Sequence, residues 1–290
     1  MKVPSLILLL LAVPGPVVAD RAHDLAKQAS KQKAVTGCDP ASLTTQTCHQ
    51  QFPTGCTDSA SKYDAYLNFL KNQTPGAGLA PTKALGQSEF QSLEENIPAT
   101  LKDGRKPRHA RFATALADLG EGNIVSVIAY LYFVEDTSKG KNGQPSVGET
   151  CNCKLQLAGS YDFHIGLGFD KTLADQIRQN KPQPVFGQPT TMDKTSVVAE
   201  MTPHTRTPKW TFARVNSLQG QQVKVVGQLM LDNIHLNAND DCAFPQATAG
   251  CWRSTVWEVH PVTQFFVCNV SSGCDASSPD SAWKSLDQVP

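Results

Sequence analysis

From residue 123 onward the chain is ordered as strand, strand, strand, helix, strand, strand, and few architectures accept that order. Asn123 to Val134 is a β-branched and aromatic run with the composition of a buried strand. Leu155 to Phe169 carries two strand pieces broken by Gly159. In the second piece Tyr161, Phe163, Ile165 and Leu167 alternate with Asp162, His164, Gly166 and Gly168, so the two sets occupy opposite faces. Ser196 to Met201 is a third strand. Pro208 to Leu218 has the spacing of a helix, with Pro208 in its first turn and Gly220 as its stop. Gln222 to Asp232 is the fourth strand, bent or bulged at Gly227. Ser254 to Val267 is the fifth, where Pro261 demands an edge or a bulge.

A mainly β chain with this order predicts a five-stranded OB-fold-like barrel carrying one inter-strand helix. The single central helix argues against a β-sandwich. The expected organisation is a leader over 1–19, a partly helical, Cys-containing N-terminal arm over 20–118, the barrel over 119–270 and a tail over 271–290. Within the arm, helices are expected at His23 to Lys33, at Ser59 to Lys71 and at Ser88 to Asn96 with Ser88 as N-cap. A stapled loop is expected at Thr36 to Thr57 and a linker at Thr74 to Pro81.

Lys2, the short apolar stretch Leu6 to Val13 and the small residues before Asp20 have the pattern of a secretory signal peptide. No later stretch approaches the roughly 18 apolar residues of a membrane helix. The expectation is an exported chain, periplasmic or extracellular, with no membrane span after cleavage. Nine cysteines fit that compartment as disulfides, and an odd count leaves at least one thiol unpaired within the chain. Spacing alone does not fix connectivity, but Cys48–Cys56, Cys242–Cys251 and Cys268–Cys274 each bracket a short loop. Cys151 and Cys153 are separated by one residue where zinc sites usually have two to four, which favours disulfides over metal there. Asn72-Gln73-Thr74 and Asn269-Val270-Ser271 match the glycosylation pattern.

Four polar motifs interrupt the strands: Asp162-Phe163-His164, Glu200-Met201-Thr202-Pro203, Asp232 with His235, and Glu258-Val259-His260-Pro261. Asp162 and His164 share a face, as do Glu258 and His260. Converging, Asp162, His164, Glu200, Asp232, His235, Glu258 and His260 suit a divalent metal, with His164, His235 and His260 as nitrogen ligands. They equally suit acid–base work, or a buried polar network in which each histidine is satisfied by a carboxylate. No nucleophile elbow, phosphate-binding loop or HExxH is present, and Gly166-Leu167-Gly168 lacks the third glycine of a dinucleotide site.

Lys and Arg total 26 against 26 Asp and Glu, which excludes a globally basic nucleic-acid binder. A local patch remains: Arg105, Lys106, Arg108 and Arg111, with Arg206 and Arg214, could line a phosphate-binding surface, or the first four could form a solvated linker.

The segments Glu149-Thr150-Cys151-Asn152-Cys153, Asp162-Phe163-His164-Ile165, Val198-Ala199-Glu200-Met201-Thr202-Pro203, Gly227 to Asp232 with His235, and Trp257 to Val262 resemble the recurring motifs of a group of exported bacterial proteins of uncharacterised function. The resemblance covers about half of the chain and implies an OB-like barrel, but no reaction. The Glu-x-His-Pro strand ending is also similar to OB-like modules attached to some exported nucleases. Three functions are therefore compatible with the sequence. One is a binding module for an oligonucleotide, an oligosaccharide or other polysaccharide, or a protein. Another is a metal-dependent hydrolase, and the third is a structural or assembly protein.

Overall fold

A computed structural model of the chain describes residues 20–58, 64–76, 78–101, 109–138, 146, 148–157, 159–185 and 187–289. Residues 1–19, expected as a leader, and Arg105, Lys106 and Arg108 lie outside them. Seven strands form one sheet: β1 (Lys83–Leu85), β2 (Ile124–Asp136), β3 (Phe163–Gly168), β4 (Val197–Met201), β5 (Gln222–Leu231), β6 (Trp257–Cys268) and β7 (Trp283–Ser285). Strands β2 to β6 close into a barrel in the order β2-β3-β4-β6-β5, with β5 pairing back onto β2. β4 and β6 run parallel, and the other barrel pairs are antiparallel. Closure leaves no free barrel edge.

The helices are α1 (Arg21–Ala29), α2 (Thr45–Gln51), α3 (Ala65–Lys71), α4 (Gln87–Glu95), α5 (Ala113–Asp118), α6 (Lys171–Asn180), α7 (Thr191–Lys194) and α8 (Phe212–Ser217). Helix α8 is the expected helix between the third and fourth barrel strands, but it is shorter than the sequence spacing implies. Thr211 caps it, its Oγ1 accepting from Arg214 N–H at 3.3 Å, and Pro208 stands outside. Helix α4 likewise starts one residue before Ser88. Its N-cap is Gly86, whose N–H donates to Glu89 at 2.9 Å. The loop expected over 36–57 contains α2, closed at its start by a reciprocal Thr44–Thr47 capping box. Residues 155–157 form no strand, so the second barrel strand begins only at Phe163.

Strand alternation sorts the side chains. Phe163, Ile165, Leu167, Val197, Ala199, Met201, Leu229, Leu231, Trp257 and Val259 fill the barrel. Their neighbours His164, Glu200, Met230, Glu258 and His260 therefore face outward. Met230 packs there against α1, α3 and α5. Gly166 and Gly168 also face outward, because aromatic rings of β2 lie over them. An added Cβ would fall 2.1 Å from the Phe133 ring at Gly166 and 1.8 Å from the Tyr132 ring at Gly168. β6 is no edge strand, since it pairs with β4, β5 and β7. Pro261 instead follows a cis peptide where the β5–β6 register shifts, and Gly227 lies opposite, too close to Pro261 O for any side chain.

The N-terminal region is not packed as a separate body. Leu85, Phe90, Ile97, Leu101 and Leu116 join the barrel core, as does Leu286 from the tail. The 118/119 and 270/271 boundaries therefore divide one continuous core.

Four disulfides are present: Cys38–Cys56, Cys48–Cys153, Cys242–Cys251 and Cys268–Cys274. The last two match the expected local loops. Cys48–Cys56 does not form. A Thr36–Thr57 bridge brings Cys38 beside Cys56, while α2 turns Cys48 onto the loop that follows β2. Cys153 is thus paired, and Cys151, expected in a disulfide, is a free buried thiol. Among the described residues no helix is long and apolar enough to cross a membrane.

Candidate functional site

The outward polar residues of β3, β4 and β6 meet beneath α3 and between two loops. One loop joins the first and second barrel strands and brings Glu149, Cys151 and Asn152. The other joins the fourth and fifth and brings Asp232 and Arg253. Helix α3 contributes Lys71 from above. OB barrels commonly use the face of their second and third strands, with these same two loops, to hold ligands.

A chain of contacts runs from the buried end of this cluster to its rim. Arg253 Nη1 donates to Glu258 Oε2 at 3.2 Å. Glu258 Oε1 lies 3.2 Å from His260 Nδ1, which is also 2.9 Å from Glu200 Oε2. The other Glu200 oxygen stands 3.4 Å from His164 Nε2, and His164 Nε2 is 3.8 Å from Glu149 Oε1. Glu149 Oε2 accepts from the Cys151 thiol at 3.3 Å. The His260 and Glu258 side chains are 0% exposed, whereas those of His164 and Glu149 are 19% and 25% exposed. His164 and Glu149 therefore form the rim through which solvent reaches the cluster. Two further pairs complete it: Lys71 Nζ lies 3.1 Å from Asp232 Oδ2 as an ion pair, and Asn152 Nδ2 donates to Asp162 Oδ1 at 3.1 Å.

The electrostatics follow from burial opposed by close charges. Burial alone would neutralise His260 and His164, but Glu200 outweighs it, aided by Glu258 at His260 and by Glu149 at His164. His260 is raised to about 10 and His164 to about 9. Burial disfavours the Glu200 charge too, yet His260, Lys71 and His164 hold it well below the usual carboxylate range. Asp232 is held down in the same way by Lys71. For Asp162 the opposing pull of His260 and Asn152 is too weak to win. Burial, with Glu149 and Glu200 nearby, pushes it up to about 8. Burial and the same type of carboxylate neighbours, Glu149 and Asp162, raise the Cys151 thiol.

Ligand atoms of four groups lie within 4.8 Å of one another: Glu149, His164 and Glu200; Glu149, Cys151 and Asp162; Asp162, Glu200 and His260; and Glu200, Asp232 and Glu258. The last already has the Lys71 ammonium beside it at Asp232. Asp162 Oδ2 and His260 Nε2 are buried without a hydrogen-bond partner. Native buried polar atoms are nearly always satisfied, so these mark where the cluster is incomplete by itself.

Six of the seven residues expected to converge do so. His235 does not. Its Nδ1 lies 3.1 Å from Asp240 and its ring meets Trp252 edge-on, where these two residues flank the Cys242–Cys251 loop. Lys71, Glu149, Cys151 and Arg253 were missed as members. Only Glu149 and Cys151, at and just before the Cys-x-Cys pair, had a local signal. The expected basic surface is not assembled among the described residues. Arg206 lies over the Phe163 ring at 3.8 Å and donates to Met201 O and Gly159 O. Arg111 lies over Phe112, and Arg214 Nη1 is buried on α8 without a hydrogen-bond partner.

A second histidine pair lies where α2 meets the segment after β4. His49 and His204 meet with ring centroids 3.7 Å apart and their planes tilted by 44°. Burial lowers them to about 4 and about 3, so both are neutral at physiological pH. Two cavities lie elsewhere. One of about 370 Å³ is lined by Phe90, Glu94, Phe169 and Lys194, and one of about 650 Å³ by Tyr130, Lys171, Arg178 and Asp275. No cluster residue lines either.

No family model, no curated protein and no solved structure matches this chain.

Proposed function

We propose that this chain is an exported OB-like binding module whose ligand is a divalent cation, held at the rim of the cluster by Glu149, His164 and Glu200. The observation that carries this reading is position. An imidazole and two carboxylates with ligand atoms within 4.8 Å of one another sit on the face and beside the two loops that OB barrels use for ligands. One histidine with two carboxylates is a suitable donor set for zinc or manganese. His260, Glu258 and Arg253 stand behind Glu200 as the outer partners that orient a ligating carboxylate. Export is supported by four disulfides and by the leader-like first nineteen residues. An anionic polymer is not favoured as ligand, because Arg206 is held by local contacts.

A hydrolase is the second reading, favoured by Asp162. Its Oδ2 is buried, unpartnered and next to Glu200 and His260, where a carboxyl could exchange a proton with a water at the rim. Under either reading the cation must bind. Zinc or manganese at 100 times its dissociation constant raises stability by about 2.7 kcal/mol through linkage. Thermal unfolding with and without added metal measures this. The effect is expected to vanish in His164→Ala and Glu200→Gln. No shift in the wild-type protein with either ion removes the reading and leaves a structural ion network.

A further inference from the structure

Eight of the nine cysteines are consumed in disulfides, and the ninth is placed against the cluster rather than away from it. Cys151 Sγ is 3.3 Å from Glu149 Oε2. Its sulfur, a Glu149 oxygen and an Asp162 oxygen all lie within 4.8 Å of one another. Asp162 is fully buried, and its Oδ2 has no hydrogen-bond partner. This donor group is continuous with the rim: Glu149 belongs to both, and Asp162 and Glu200 meet again at His260. The sulfur is also well fixed. Cys153, two residues on, is tied to Cys48, and the Cys151 carbonyl accepts from Asn72 Nδ2 at 2.9 Å.

We propose that Cys151 is a metal ligand beside Glu149, and that the cation site is therefore a sulfur-containing site of the zinc class rather than an all-oxygen site for magnesium or calcium. This deepens the proposed function and rests on it. Hard cations take oxygen ligands and gain little from a thiolate. Zinc and cobalt take thiolate, imidazole and carboxylate together. Binding moves the thiol proton to solvent and forms the metal–sulfur bond, with no change in oxidation state. An unpaired thiol is otherwise a liability in an oxidising compartment, and burial against two carboxylates shields it from a second cysteine.

The test is cobalt loading of the mature, full-length protein with its disulfides intact and no reductant present. With eight cysteines paired, only Cys151 can give thiolate-to-cobalt charge-transfer absorption in the near ultraviolet. The expected result is that band in the wild type, with magnesium and calcium failing to compete cobalt away, and loss of the band in Cys151→Ser with cobalt still bound. Bound cobalt without the band overturns the assignment of Cys151 and leaves the oxygen and nitrogen site standing. No bound cobalt, zinc or manganese overturns the cation reading itself. If Cys151→Ser does not fold, the wild-type spectrum still decides.

Discussion

At the scale of single residues the cluster is a set of buried charges that only its members can compensate. Lys71, Arg253, His164 and His260 stand against Glu149, Glu200, Asp232 and Glu258, with Asp162 raised to about 8. Removing one member leaves another charged and dry. Lys71→Met strands Asp232 and is expected to cost about 3–5 kcal/mol in urea unfolding. A loss below about 1 kcal/mol would mean that Asp232 finds water or another cation. The two imidazoles also set a pH dependence. Their folded values, about 9 and about 10, lie above the unfolded 6.5, so the stability they contribute is complete below that value. It is lost as pH rises through 9 to 10. His49 and His204 have the opposite sign. Lowered to about 4 and 3, they contribute above 6.5 and lose it as pH falls toward those values. Melting temperature against pH should therefore decline on both sides, and His260→Gln should flatten the alkaline limb only. An unchanged alkaline limb in that variant would contradict the charged state assigned to His260.

At the scale of elements, the Cys48–Cys153 disulfide joins α2 to the loop carrying Glu149 across 105 residues, whereas Cys242–Cys251 closes a loop of 9. In the chain-entropy model these contribute about 5 and about 3 kcal/mol. Replacing Cys48 and Cys153 by serines should lower the urea midpoint more than replacing Cys242 and Cys251, and the reverse would point to residual structure in the unfolded chain. Gly168→Ala tests β2 against β3, because the new methyl meets the Tyr132 ring. A loss of about 1–3 kcal/mol is expected. The strand order and the helix between third and fourth strands were legible in the sequence because β-branched runs and alternation survive without tertiary context. Element ends were less legible. Thr211 and Gly86, rather than Pro208 and Ser88, begin their helices, since a cap is chosen by backbone geometry as much as by residue type. The Cys48–Cys153 pairing was hidden because its partners lie far apart in sequence.

At the scale of the whole molecule, the barrel offers a face and the N-terminal region covers it. Glu200, His260 and Glu258 could be assigned to that face from parity alone. Lys71 and Arg253 could not, because one comes from a helix and the other from a loop that meet the cluster only in three dimensions. His235 was misplaced for a related reason: the chain leaves β5 at Asp232, where strand parity stops predicting direction. A closed, charge-compensated cluster would be a structural core, while one completed by a cation would be a binding site. Metal content of the protein, purified without a metal-affinity tag, separates the two most directly when measured beside a His164→Ala/Glu200→Gln variant. The expected result is near-stoichiometric divalent metal in the wild type, absent from a variant that still folds. A metal-free wild type that takes up none on addition, with a variant that is merely less stable, would contradict the account.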